Sequence, residues 1–294
     1  MKIYNLGSLN IDYVYAVDHF VAAGETLSSK GMAVFPGGKG LNQSVALAKA
    51  GAAVIHGAVA GNDGKFLVET LTAAGVDASR IKTVDGTTGH AIIQVDKSGQ
   101  NCIMLFAGTN YAVDEEYIRE FLRDAEENDI LLLQNEVSNL RVAFEIAHGK
   151  KMQIAFNPSP YHDDLKNLPL SYVKWWFCNE IEGAAFFGSS DPEEIADAFV
   201  KQFPDNYLLL TLGKDGSMFV SSEQRVRQPI YEVQTVDTTA AGDTFTGYFL
   251  SALTEGSDVA FSLDLAARAA AITVSRSGAS SSIPVRNEVD ASMI

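Results

Sequence analysis

The chain has 294 residues, 47% apolar and 20% charged, a globular composition that excludes disordered, collagenous and fibrous classes. Its formal charge of −15 argues against nucleic acid or an anionic membrane surface as a partner. Any phosphate it binds then has to be held locally, by backbone N–H groups, a few cations or a metal.

The N-terminal MKIYNLGSLN lacks the apolar run of a signal peptide, and no stretch reaches the ~18 apolar residues of a membrane span. A soluble, cytoplasmic protein is expected. In chain order, residues 2–7 read as a first strand, 41–50 as a helix stopped by Gly51, and 53–60 as one buried strand. Residues 63–75 read as a helix with Phe66, Leu67, Thr70 and Leu71 inward and Gly75 at its end. Asp114 should cap a helix whose Tyr117, Ile118, Phe121, Leu122 and Ala125 recur at helical spacing, with the charges of 114–129 on its solvated face. A strand at 130–134, a helix near 140–149, a strand at 152–156, a helix opened by Asp191-Pro192 and a strand at 207–212 follow.

Strands apolar on both faces, alternating with helices, predict an α/β fold: a three-layer αβα sandwich around a mainly parallel sheet. Two segments break the rhythm. Residues 11–35 and 88–106 carry β-like patterns with no helix between them, and KSGQ reads as a hairpin turn. They predict a small antiparallel sheet inserted as a lid, leaving 1–10, 36–87 and 107–294 as the body. A sheet that small is marginal alone, so it should cover the active-site cleft, pair with another subunit, or both. Cys102 and Cys178 show no metal-like spacing and are expected as reduced thiols packed in a core.

Three motifs carry chemistry. In DTTAAGDTFTGYFLSAL (237–253), Ala240, Ala241, Gly242 and Asp243 sit where a loop enters a helix, after a β-like VRQPIYEVQTV. Free N–H groups and the positive helix end favour an anion there, and Asp243 would stand beside it, placed to accept a proton from an attacking hydroxyl. A lone AGD also serves as a first-turn acid with a turn glycine. In PGGKGLNQSVALAKAGA (36–52), glycines surround Lys39 and precede Asn42 at a helix start, which suits a polyhydroxy ligand, although a plain glycine turn has the same appearance. It is neither a Walker A loop nor a dinucleotide fingerprint. In GSLNID, Asn10 and Asp12 share one face of an extended segment and suit a diol, or simply form a polar turn. No HExxH or GxSxG motif is present, and Trp175-Trp176 reads as core.

The two glycine motifs in this order, with GSLNID before them and TLGKDG between, resemble the paired signatures of the ribokinase-like (PfkB) carbohydrate kinases. The resemblance extends through RSGASSSIP at 276–284. TGHAIIQVD, AGTN, LLLQNE and FNPSP are most similar to the ribose-phosphorylating members. It implies an ATP-dependent sugar kinase acting on the 5-hydroxyl of D-ribose, with Asp243 as general base and the N–H groups of Ala240, Ala241 and Gly242 as anion hole. Asn10, Asp12, Gly38, Lys39, Asn42 and Glu136 match sugar-binding positions. Asn179 and Glu182 match an Asn-x-x-Glu motif that organises Mg²⁺, and Thr211, Gly213 and Gly216 match the nucleotide loop. Asp237, Thr239, Thr273, Arg276, Gly278 and Ser282 match positions that hold an activating monovalent cation, K⁺. The lid resembles one that also forms a homodimer contact. Ala267 stands where a larger polar residue is expected near the adenine, and Phe106 where a histidine is frequent. Kinases of the same fold for a nucleoside, deoxyribose, fructose-type sugar or ketodeoxygluconate are the alternatives, with a non-catalytic sugar-binding protein behind them.

Overall fold

The structure, a computed structural model, describes residues 1–292. The chain runs β1 (Ile3–Leu6), β2 (Asn10–Ala16), β3 (Gly31–Gly37), α1 (Lys39–Ala50), β4 (Val54–Gly57), β5 (Val59–Gly61), α2 (Lys65–Ala73) and β6 (Lys82–Val84). It continues β7 (Gly89–Val95), β8 (Asn101–Phe106), α3 (Glu115–Phe121), β9 (Ile130–Gln134), α4 (Leu140–Gly149), β10 (Gln153–Asn157), β11 (Val173–Asn179), α5 (Glu180–Phe187) and α6 (Pro192–Gln202). The last elements are β12 (Tyr207–Thr211), β13 (Ser217–Val220), β14 (Arg225–Gln228), α7 (Ala241–Thr254), α8 (Val259–Val274) and α9 (Arg286–Ala291).

Helix starts follow local chemistry. The Asp114 carboxylate accepts the Tyr117 N–H, and Asp191 accepts those of Glu193 and Glu194 with Pro192 in the first turn. Gly51 ends α1 in the left-handed conformation.

Eight strands form the main sheet in the order β14-β13-β12-β11-β10-β9-β1-β4. It is parallel from β4 to β12 and antiparallel at β13 and β14. Alternate strand residues feed two cores. Ile3, Leu132, Trp175 and Leu209 pack under α1, α7 and α8, while Tyr4, Leu133, Trp176 and Leu210 pack under α3, α4 and α6. This is the expected three-layer sandwich. The chain leaves β1 toward β4 on one side and returns to β9 on the other, and such a reversal opens a ligand crevice at the carboxyl ends of the strands.

The second sheet has the order β3-β2-β7-β8. Its outer pairings, β2–β3 and β7–β8, are antiparallel as expected, but its central pairing, β2–β7, is parallel. The cause is topological: the sheet consists of two hairpins whose first strands run in the same direction. Three further expectations differ. The run 53–60 is two strands, because the chain leaves the main sheet after Gly57 and pairs β5 with β6. The β character before the DTTAAGD motif ends at Gln228, where Pro229 has no N–H to continue a ladder. Cys178 is buried as expected, but Cys102 is exposed because β8 lies at a sheet edge. Among the described residues, no helix is long and apolar enough to cross a membrane.

Candidate active site

Glu136 lies just beyond β9, and Asn157, Asn179 and Thr211 close β10, β11 and β12, so four polar side chains line up along the carboxyl edge of the main sheet. Opposite them stands the start of α7. Between the two lies a cavity of about 300 Å³ lined by Lys39, Asn157, Asn179, Glu182, Ala240, Ala241, Gly242 and Asp243, among others. A larger cavity of about 790 Å³ adjoins it, bounded by Thr211, Gly213, Gly216, Ile230, Val233 and Ala267.

Asp243 sits in the first turn of α7 and is buried. One carboxylate oxygen accepts Asn42 Nδ2–H at 3.1 Å and the other accepts Gln43 Nε2–H at 2.9 Å, so two consecutive residues of α1 grip it. Ala240 takes a left-handed conformation (φ 62°) as the helix opens. The Ala241 N–H turns back to the Thr238 carbonyl at 3.3 Å, whereas those of Ala240, Gly242 and Asp243 have no partner among the described residues. Two of the three N–H groups expected in the anion hole are therefore free, and the third is held by a long bond that an anion could displace.

Asn10 and Asp12 lie on one face of β2, as expected. Asn10 Oδ1 accepts Asn110 Nδ2–H at 2.8 Å, which leaves the Asn10 amide group as donor. Asp12 packs against Gly37, where a Cβ would fall 2.0 Å from its carboxylate, so a side chain there would displace that carboxylate. Burial, reinforced by the nearby Glu136 charge, pushes the Asp12 carboxyl up to about 7. Gly38 precedes α1 with φ 97°. Glu136 accepts the Lys39 N–H at 2.9 Å and the Ser8 hydroxyl, which seats a carboxylate on the positive end of α1. Burial raises its pKa, with Lys39 and those hydrogen bonds opposing. Lys39 feels the reverse: burial disfavours its charge, but Asp243, Glu136 and Glu182 outweigh that and lift its pKa above the ordinary lysine value. Asn42 Oδ1 is buried with no partner among the described residues.

Asn179 and Glu182 cap α5 reciprocally. The Asn179 side chain accepts the Glu182 N–H at 2.9 Å, and Glu182 Oε2 accepts the Asn179 N–H at 2.9 Å. The motif therefore builds a helix start and also faces the cavity with the buried Glu182. Among the described residues no cluster of three or more His, Cys, Asp or Glu could cage a metal. Mg²⁺ needs no such cage: it keeps several waters and takes one or two carboxylates plus substrate phosphates, which Glu182 fits. Thr211, Gly213 and Gly216, the positions that match a nucleotide loop, border the larger cavity, and Gly216 abuts the Gln228 carbonyl.

Asp237 accepts the Thr239 N–H and hydroxyl with one oxygen and the Gly278 N–H, at 3.1 Å, with the other. It thereby ties two of the loops expected to hold a monovalent cation. The remaining side chains there are engaged elsewhere: Thr273 with Thr244 and Ala269, Arg276 with Glu288, and Ser282 with Ala279.

Residues that sequence reasoning passed over are Gln43, Asn110, Ser8 and Asn157. Each lies in or beside a motif that was singled out (LNQS, AGTN, GSLN, FNPS), and its partner is remote in sequence.

The geometry is that of a phosphotransferase: an acid at a helix N-terminus, a lysine among carboxylates and an adjoining larger cavity. Residues 2–286 match the family of pfkB family carbohydrate kinases, and the chain belongs to it. A ribokinase of Haemophilus influenzae is 37% identical over 96% of this chain and 95% of its own length. The structure of ribokinase from Thermotoga maritima superposes with a TM-score of 0.88 at 36% identity, covering 99% of this chain and 98% of that one. Ribokinase of Arabidopsis thaliana, solved with ribose and ATP, gives a TM-score of 0.86 at 29% identity over 98% and 97%.

Proposed function

We propose that the protein transfers the γ-phosphoryl group of ATP to the 5-hydroxyl of D-ribose, releasing ADP and D-ribose 5-phosphate. The observation that carries this reading is the Asp243 carboxylate, buried at the open end of α7 and facing the same cavity as Lys39. The hydroxyl gives its proton to Asp243 as its oxygen attacks phosphorus, a contribution of about 10²- to 10⁴-fold. The N–H groups of Ala240 and Gly242, joined by that of Ala241, hold the transferring phosphoryl oxygens, and Lys39 adds positive charge across the cavity. Glu182 and Asn179, on the cavity wall, would hold a Mg²⁺ ion entering with ATP, which would supply neutralisation of the phosphate charge.

The sugar is held by Asn10, Asp12, Gly38, Lys39, Asn42 and Glu136. Asp12 and the partnerless Asn42 Oδ1 accept its hydroxyl protons, and the Asn10 amide donates. Thr211, Gly213 and Gly216 border the nucleotide. Residues 11–35 and 88–106 act as the lid, which excludes water that would otherwise accept the phosphoryl group. The lid also pairs two subunits. In support, β8 exposes Ile103, Met104, Leu105 and Phe106 by 50–63% each, an apolar edge strand that soluble monomers avoid. The 237–239 and 273–282 segments would hold an activating K⁺ ion.

A coupled ADP-release screen tests the reading. With Mg²⁺ present, D-ribose should give the highest kcat/KM among ribose, deoxyribose, fructose, ketodeoxygluconate and adenosine. A different best acceptor reassigns the substrate, and ribose binding without ADP release makes the protein a binder.

A further inference from the structure

Behind Asp243 lies a buried chain of polar side chains that no step above uses. Gln43 Oε1 accepts Gln134 Nε2–H at 2.6 Å, and Gln134 Nε2 also donates to Asn5 Oδ1 at 3.0 Å. Asn5 Nδ2 donates to the Gly40 carbonyl and to Ser44 Oγ, each at 2.8 Å. Ser44 Oγ meets His56 Nδ1 at 2.8 Å. Asn5, Gln43, Ser44, His56 and Gln134 are all fully shielded from solvent.

The chain has a direction. Gln134 Nε2 is flanked by two carboxamide oxygens, so its amide cannot be turned around without facing oxygen to oxygen. Its orientation dictates that Gln43 presents oxygen to Gln134 and nitrogen to Asp243. At the far end, Ser44 Oγ accepts from Asn5 and also meets His56 Nδ1. Burial holds His56 down to about 3, so a neutral ring closes the chain. Each amide thus fixes the polarity of the next, and Gln43 Nε2–H is the donor that emerges at Asp243.

We infer that Gln43, locked by Gln134 and Asn5, is a positioning residue that holds the Asp243 carboxylate in the orientation from which it takes the substrate proton. This rests on Asp243 being the base. Asn42 restrains the other oxygen, but in the proposed reading it also contacts the sugar. Gln43 is shielded behind Asp243, and its remaining contact is Asn157 Oδ1 at 3.2 Å. A carboxylate free to rotate would spend part of its time misaligned with the attacking hydroxyl. A misplacement of about 1 Å costs on the order of 10²-fold in rate.

The test is a double-mutant cycle on the single-turnover rate of phosphoryl transfer, with ribose affinity measured by calorimetry. Gln43→Met keeps the volume and removes the donor. The rate should fall about 10- to 100-fold, with ribose affinity changed less than about threefold. In an Asp243→Asn background the same substitution should cost less than about twofold, because nothing remains to orient. A wild-type rate in Gln43→Met, or an equal loss in both backgrounds, overturns the inference. Asp243→Asn retaining the wild-type rate overturns the reading beneath it instead. Should Gln43→Met fail to fold, Gln134→Met, two hydrogen bonds from Asp243, carries the same cycle with the same outcomes.

Discussion

The two sheets of this molecule treat their side chains in opposite ways. In the main sheet β9 is buried at every residue, and even its last polar side chain, Gln134, is bonded into the interior. In the four-stranded sheet β8 is exposed at every residue, although four of its six side chains are large and apolar. In our reading the first pattern holds the reacting carboxylate still. The second leaves apolar surface that is stabilised only when something covers it. Asp12 and Asn10 lie on β2 of the second sheet. In this proposal the sugar is gripped by the adaptable sheet and phosphorylated by the rigid one.

The largest effect should come from disturbing the rigid side. A Cβ on Gly40 would fall 2.3 Å from the Ser8 N and 2.5 Å from the Gly7 Cα, backbone that cannot step aside. Gly40→Ala should separate α1 from β1, destabilise the fold by about 1–3 kcal/mol and lower activity with it. A melting temperature equal to wild type would show that this junction is looser than described. On the other side, Met104→Glu should convert a dimer to a monomer by sedimentation while leaving the intrinsic stability within about 0.5 kcal/mol, because the residue is exposed. An unchanged assembly state would remove β8 from the subunit contact.

The pH response sharpens the comparison, because Asp12 belongs to the four-stranded sheet. With its carboxyl raised to about 7, it is protonated below that value, and in the proposed reading it then becomes a weaker, uncharged acceptor for the sugar hydroxyls. KM for ribose should rise as pH falls through 7, by up to about tenfold per unit, and Asp12→Asn should flatten the profile. The stability of the free protein moves the other way. The folded value lies above that of the unfolded chain, so the folded state holds an extra proton between roughly pH 4 and 7. The stability this contributes declines as pH rises across that window. The smallest effect concerns the cation. At equal ionic strength K⁺ should give a faster rate than Na⁺, and identical rates would remove the proposed cation site.

Much of this arrangement was legible in the sequence where the cause is local. Asp114, Asp191-Pro192 and Gly51 mark helix ends by chemistry within four residues, and Asp243 could be placed at a helix start from its neighbours alone. What stayed hidden depends on remote pairing. Gln43 meets Asp243 from 200 positions away and Gln134 from 91, and neither neighbourhood carries a trace of the other. The break at Ala58 lies inside an unbroken apolar run, and only the departure of the chain from the sheet reveals it. Cys102 sits in a run whose apolarity resembles a core strand, yet its strand is an edge.

The central claim is that Asp243 removes the proton from the sugar hydroxyl beside the open end of α7. Its most direct test is the rate of phosphoryl transfer in Asp243→Asn, measured in a single turnover alongside ribose affinity. The account predicts a loss of about 10²- to 10⁴-fold in rate with ribose still bound. A variant that transfers phosphate at the wild-type rate would contradict it.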